Sequence, residues 1–377
     1  ENYKMIQKIK IKNFKSIQSA EIAVGNLNLF TGVNGSGKST FLQSLLLVRQ
    51  SFLSGSLFRE PYTLKLTNGE GLVNLGTFRD VICHQSKKGE EIVELTVSFD
   101  NNELQIISEL YSVENRDLNT LRVKLSDSIF NYDKNNLFNN YCQYLAAERI
   151  EPNEDYPRFS QTNELLGKRG EYTANYLEKY GTKDIAIRGL SLNDNPNSFA
   201  LISQVNDWMG EISKSIEVIA TENLKTNRIE LAYRYKLSDG TPSQNQKPQN
   251  VGFGITHTLP IVVAVLSAQK GSAIFIENPE SHLHPSGQAR LAFLFAKAAQ
   301  NGVQLFIETH SDHIINGLRV AVKKKMIEKE NVFLNYFSKD NYGLSEIKRI
   351  EVQSGGGLTE WPDGFFDEWD NLLNELL

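Results

Sequence analysis

Nine residues near the start of the chain, "GVNGSGKST" from Gly32 to Thr40, have types and spacing suited to one ligand chemistry. They match G-x-x-x-x-G-K-[ST], in which glycines let successive backbone N–H groups turn toward a phosphate. The apolar run "NLNLF" leads in, and Leu42, Leu45 and Leu46 follow at helical spacing. A helix would therefore point its positive end at the anion. Asn34, Gly35, Ser36, Gly37 and Thr40 are expected to line the phosphates of ATP, and Lys38 to reach the β- and γ-phosphates. The Ser39 hydroxyl is expected to ligate Mg2+. An ordinary glycine-rich turn is the competing reading, and the strand before and helix after argue against it.

A second chemistry lies in "IFIENPESHLHP", residues 274 to 285, where an apolar strand runs into polar groups. Glu277 is placed to manage magnesium, directly or through water. Asn278 follows it and cannot accept a proton, although it can hold a water by hydrogen bonding. Glu280, past Pro279, is the remaining candidate general base if the turn folds back; otherwise it is a helix-start carboxylate. A further apolar run ends in "ETHSDH", with His310 at its tip as a candidate γ-phosphate sensor or a satisfied strand-end histidine. "NVGFGITHTLP" sets Gly252, Gly254 and Thr256 at a helix start whose first turn is expected to hold Pro260. Five of the six histidines fall in this last third, and His282 and His284 would share a side if the strand continued. That pair is read either as a metal pair or as part of a segment contacting another subunit.

These groups need elements to hold them. "KIKIKNFKSIQSAEIAV" alternates as half-buried antiparallel strands do. "SAIFIE" and "VQLFIE" are continuous apolar runs, the mark of parallel strands buried on both faces. The stretch "SFALISQVNDWMGEISKSIEVIA" reads as helical, and "SDGTPSQNQKPQN" (238 to 250) as a linker. The expected organisation is an α/β P-loop head split in two: an N-terminal part over 1–126, an inserted mainly helical arm over 127–248, and a C-terminal part over 249–377.

The order of P-loop, glycine-led helix, acidic strand end and strand-end histidine resembles the ABC-type ATPase superfamily. More narrowly it is similar to standalone ATPases related to the overcoming-lysogenization-defect (OLD) family and to PtuA, the ATPase of Septu anti-phage systems. The residues carrying this are "NFKSI", "NLGTFRDVI", "LAAERIEP", "LGKRGEY", "NVGFGITHTLP", "IENPESHLHPSGQ", "FIETHSDHIING" and "EWPDGFFDEWDNLL". The resemblance implies a mixed sheet with an antiparallel N-terminal lobe and a parallel core, ATP and Mg2+ as cofactors, and a homodimer or higher homo-oligomer closed around nucleotide. In that dimer Gly252, Gly254 and Thr256 would meet the γ-phosphate held by the partner chain, and Gln85 would be the glutamine joining the lobes. It also implies a separate effector protein such as an HNH nuclease, with nucleic acid engaged through the complex; slow hydrolysis is expected from Asn278 at the position after Glu277. Three departures limit the likeness: no long heptad arms or CxxC hook, no Asp-x-Asp of a fused nuclease, and Asn278 in place of the usual base. A DNA-engaging repair-type ATPase is the alternative, and a small-molecule kinase fits least.

Composition sets outer bounds. With 377 residues, 40% hydrophobic and 23% charged, the chain can bury a large core and is not of disordered type. A net charge of −5 provides no global field for nucleic acid. The local strip Lys8, Lys10, Lys12 and Lys15 is either a nucleic-acid track or a solvated strand face. Cys83 and Cys142 lack metal or disulfide spacing, and no apolar run is long enough for a bilayer, so the expectation is a cytoplasmic protein with no membrane partner. The tail "WPDGFFDEWDNLLNELL" is expected to be an acidic amphipathic helix docked by Phe365, Phe366, Trp369, Leu372 and Leu373 on its own domain, with docking of a partner protein as the alternative.

Overall fold

The computed structural model describes residues 3–69, 71–87, 89–109, 118–126, 130–159, 165–362, 365 and 368–376, with the backbone alone for 368–371. The first elements are β1 (Ile6–Phe14), β2 (Ile17–Ala23), β3 (Leu27–Gly32), α1 (Lys38–Leu53), β4 (Thr63–Lys65) and α2 (Phe78–Val81). Next come β5 (Glu94–Phe99), β6 (Asn102–Ser108), β7 (Thr120–Leu125), β8 (Gln143–Leu145), β9 (Asp155–Tyr156), α3 (Thr173–Tyr180) and α4 (Leu201–Ile212). Then follow β10 (Ile216–Asn223), β11 (Arg228–Tyr235), α5 (Phe253–Leu266), β12 (Ala273–Glu277), α6 (Pro285–Gln300) and β13 (Gln304–Glu308). The last are α7 (Asp312–Lys323), β14 (Val332–Lys339), β15 (Ser345–Ile350) and α8 (Glu368–Leu376). The chain divides into two compact units: residues 1–139, 333–351 and 359–377, and residues 140–332 with 352–358.

In the first unit, β1 pairs antiparallel with β2 and β5 in a sheet ordered β2-β1-β5-β6-β7-β4. The alternation read from sequence holds: Ile9 and Ile11 are buried while the lysines between them face out. Those lysines are not a free basic track. Lys8 and Lys10 both pair with Glu21, Lys12 pairs with Glu94, and Lys15 donates to Gln43 with its pKa lowered by burial. The strip is a strand face partly compensated by two cross-strand glutamates, with Lys15 on a neutral amide. β3, buried along most of its length, lies beside β14, and β14 pairs antiparallel with β15.

In the second unit, β8, β12 and β13 run parallel, with Ile276 opposite both Leu145 and Ile307. Phe275 and Phe306 stack at 4.7 Å between ring centres. Helices α6 and α7 pack closely because Gly317 has no side chain; a Cβ there would stand 2.7 Å from that of Ala292.

The segment 127–248 departs from its expected form. Residues 127–129 lie outside the described residues, 130–139 belong to the first unit, and the rest folds into the second. There β8 joins β12, α4 packs on α5 and α6, and β10 pairs with β11 over eight residue pairs. It carries a long hairpin as well as helices. The run read as one helix stops at Ile212, and Ser215, at φ 62°, turns the chain into β10. Nor is 238–250 a loose linker: Gln246 and Tyr233 exchange backbone hydrogen bonds of 2.6 and 2.9 Å, which fold it back on β11.

Candidate functional site

In the first unit, the loop between β3 and α1 has the backbone its glycines permit. Gly32, Gly35 and Gly37 have φ of 134°, 74° and 107°, a region that side chains disfavour. A Cβ on Gly32 would stand 2.0 Å from the Phe337 carbonyl oxygen of β14, and one on Gly37 would stand 2.1 Å from Ser345 Oγ. Ser345 is itself hydrogen-bonded to Ser16 at 2.8 Å. The loop is thus seated on neighbouring backbone, while Asn34 and Gly35 remain exposed. Lys38 lies within the loop at 3% exposure and donates from Nζ to the carbonyls of Gly32 (3.0 Å) and Val33 (2.8 Å). Ser36 donates to Val33 O, and Ser39 and Thr40 occupy the first turn of α1, where no acidic side chain opposes an anion. A positive helix end, a lysine and glycines that leave no room for Cβ fit a nucleotide phosphate chain. Gln85 is an exposed turn residue.

In the second unit, β12 and β13 end in register with Glu277 opposite Glu308. Glu277 accepts from Tyr144 Oη at 3.0 Å and from the Ala147 N–H at 3.3 Å. Burial raises its pKa, against the lowering effect of these bonds and of Arg149. The Arg149 guanidinium is buried behind the strand end and donates to the carbonyls of Glu277 (2.7 Å) and Asn278 (3.3 Å). Burial pulls its own pKa down to about 10, although Glu280 and Glu277 act the other way. Asn278 takes a left-handed backbone, φ 44°, and its Oδ1 is buried without a hydrogen-bond partner.

The turn at Pro279 does fold back. Glu280 accepts from Thr309 Oγ1 at 2.8 Å and from the His310 backbone N–H at 2.7 Å. The structure therefore brings Glu280 and His310 together, with His310 exposed at the tip of β13.

At the start of α5 the expectations are met only in part. Gly252 caps the helix and is exposed beside Phe253, itself 55% exposed. Gly254 is a packing glycine, since a Cβ would meet the His282 carbonyl oxygen at 2.2 Å. Thr256 points inward at 3% exposure, with Tyr233 Oη 3.5 Å from its hydroxyl. Pro260 lies in the middle of α5, not its first turn, and packs against Gly170. His282 and His284 do not form a pair. His282 sits against His257 and Phe253, while His284 caps α6 through Ser286. Among the described residues no group of three or more His, Cys, Asp or Glu is arranged to hold a metal ion.

Sequence reading missed Glu308, Tyr144 and Arg149. Glu308 had a signal, because "FIE" ends both apolar runs. Arg149 and Tyr144 reach the site from β8 and the loop after it, and no local spacing announces them.

Comparison with known proteins bears on the class. Over nearly its whole length the chain has the fold of SMC heads: the TM-score is 0.51 to an SMC head bound to the C-terminal winged-helix domain of ScpA, at 13% identity and covering 92% of this chain and 98% of that one. A Pyrococcus furiosus SMC head with extended coiled coil gives 0.51 at 11% identity, covering 99% of each chain. The fold is that of an ABC-type P-loop ATPase head.

Residues 27–316 match the family described as AAA domain, putative AbiEii toxin, Type IV TA system, and the chain belongs to it. Residues 327–376 match a further family described as a protein of unknown function, DUF3696. The chain is 23% identical to an ATP/GTP phosphatase of Helicobacter pylori over 85% of this chain and 89% of that protein. It is 22% identical to an OLD nuclease of Thermus scotoductus, covering 99% and 70% respectively. It is 24% identical to the Septu protein PtuA of Bacillus thuringiensis, covering 90% and 81%. It is an OLD-like AAA ATPase that resembles PtuA. No helix among the described residues is long and apolar enough to cross a membrane.

Proposed function

We propose that this chain binds Mg2+-ATP through Lys38, Ser39 and the surrounding loop, hydrolyses it slowly, and uses its nucleotide state to control a separate effector in anti-phage defence. The observation that carries hydrolysis is the anchored carboxylate of Glu280. Two donors fix its oxygens, and each oxygen keeps a lone pair with which to orient or deprotonate a water. Glu277 supplies a second acid, and Asn278 Oδ1 is a buried acceptor able to hold a water. Bound Mg2+ would neutralise charge developing on the phosphates, with the Ser39 hydroxyl as a protein ligand. His310 would sense the γ-phosphate, because its backbone is tied to the acid and the residue is exposed at the end of β13.

The controlling role rests on likeness to PtuA. We propose a nucleotide-closed homodimer in which the exposed Gly252 end of α5 meets the partner's nucleotide. Its effector would be a nuclease-type protein such as an HNH nuclease, and the complex would act in the cytoplasm. The test is magnesium-dependent ATP turnover beside equilibrium ATP binding for the unaltered chain, Lys38→Ala and Glu280→Gln. Turnover that survives Glu280→Gln removes Glu280 from the mechanism, and nuclease activity in the isolated chain removes the separate effector.

A further inference from the structure

Two stretches singled out in the sequence have residues with no part in the site described so far. In the C-terminal tail, Phe365 is buried, edge-on to Tyr336 and Trp361, while Leu372 and Leu373 are 49% and 37% exposed and do not dock it. Phe366 and the Trp369 side chain lie outside the described residues. The other stretch, "IENPESHLHPSGQ", ends in Gln288, half-buried near the start of α6.

The Gln288 amide reaches two turns at once. Its Nε2 donates to the Leu283 carbonyl at 2.7 Å, and its Oε1 accepts from the Ser311 hydroxyl. Leu283 belongs to the turn that carries the acid, since its N–H donates to the Glu280 carbonyl at 3.0 Å. Ser311 belongs to the turn that anchors the acid, since its N–H donates to Thr309 Oγ1 at 3.0 Å.

The direction of each bond is forced, because a hydroxyl has one proton to give. Ser311 Oγ accepts the Ile314 N–H at 3.0 Å as the cap of α7, and its own proton goes to Gln288. Thr309 Oγ1 accepts the Ser311 N–H, and its own proton goes to Glu280 Oε2 at 2.8 Å. Thr309 and Ser311 are 0% and 5% exposed, so losing one of these bonds leaves a buried polar group unmatched. A closed ring of hydrogen bonds therefore runs from the Glu280 backbone through Leu283, Gln288, Ser311 and Thr309 back to the Glu280 carboxylate.

We propose that Gln288 is a positioning residue for ATP hydrolysis: it fixes the turn that carries Glu280 against the turn that holds its carboxylate. The proposal rests on Glu280 as the working acid, and Gln288 acts only through it. A displacement of about 1 Å at a reacting group can cost about a hundredfold in rate, so such a clamp has a kinetic effect.

Turnover beside equilibrium ATP binding of the full chain tests this in Gln288→Met, which keeps an unbranched side chain but makes neither bond. Turnover is expected to fall about tenfold or more, with ATP affinity and melting temperature unchanged. Ser311→Asp still caps α7 but has no proton to give Gln288, and the same fall is expected. The double variant is expected to lose no more than either single one, because both remove the same link. In a chain already carrying Glu280→Gln, adding Gln288→Met is expected to cost nothing further. Hydrogen exchange of the amides of 309–314 is followed alongside and is expected to speed up in Gln288→Met.

Gln288→Met that turns over at the unaltered rate, or that loses as much again on top of Glu280→Gln, overturns the proposal. Unchanged exchange over 309–314 does the same. Turnover that survives Glu280→Gln alone overturns the reading of the acid itself, so the two failures are told apart.

Discussion

Glu280 accepts the backbone N–H of His310 at 2.7 Å, so the acid beyond the end of β12 is fixed to the tip of β13. With Thr309 on its other oxygen, the carboxylate has little freedom to swing away. If Glu280 is the general base proposed above, it is most sensitive to loss of its charge. Glu280→Gln is expected to keep ATP affinity and lower turnover by about a hundredfold or more, the range for losing a general base. Thr309→Val, which leaves the charge but removes one anchor, is expected to cost about tenfold, the scale of one charge-assisted hydrogen bond. Steady-state turnover beside ATP titration separates the two effects. Equal losses in both variants would point to a structural clip.

Arg149 donates to two carbonyls at the end of β12 while buried against the acids. Arg149→Ala would leave two carbonyls at the strand end without their donors, at a cost of about 1–3 kcal/mol for each acceptor left unpaired. Arg149→Lys would rescue little, since an ammonium cannot reproduce the guanidinium fork. Thermal melts of both variants check this, and a Lys variant as stable as the original would show that charge alone matters there.

How much of this could be read beforehand depended on how local each feature was. The loop between β3 and α1 was legible because its motif and its backbone needs lie in consecutive residues, and Gly32 and Gly37 take the positive φ that glycine permits. Glu277 and Glu280 were legible as carboxylates at the end of an apolar run, but their geometry depended on a turn that spacing alone left open. The inward direction of Thr256 was not legible, because α5 is apolar on nearly all sides and no periodicity showed which face turned inward. Tyr144 and Arg149 come from residues more than a hundred positions away in sequence, and only the parallel pairing of β8 with β12 brings them to the acids. The hairpin of β10 and β11 was hidden by a helical run that ended a few residues before Ile216.

His257 provides a pH signature. Burial, then the charges of Arg149 and His282, lower its pKa from 6.5 to about 4. Between those values the unfolded chain binds a proton that the folded chain refuses, so stability is lost as pH falls from 6.5 through about 4. Above 6.5 both states are neutral at this residue and it contributes no slope. His257→Gln is expected to flatten the acid limb of the stability curve while leaving the neutral plateau nearly unchanged. Denaturant unfolding followed across this range is the measurement, and an unchanged acid slope would count against the assignment.

Gly252 and Gly254 stand two residues apart and should respond in opposite ways. Gly254 has the His282 carbonyl where a Cβ would go, so Gly254→Ala must displace backbone and is expected to destabilise the fold by ~1–3 kcal/mol, the cost of overpacking. Gly252 has φ −60° and open space around it, so Gly252→Ala should leave the melting temperature unchanged. If this helix end meets a partner's nucleotide, that added methyl falls on the approach path, and ATP-dependent dimerisation should weaken while ATP binding to the single chain persists. Melting curves, ATP titration and light scattering with and without nucleotide separate the cases. A Gly252→Ala chain that dimerises normally with ATP would take this end of α5 out of the interface and leave Gly254 with a packing role alone.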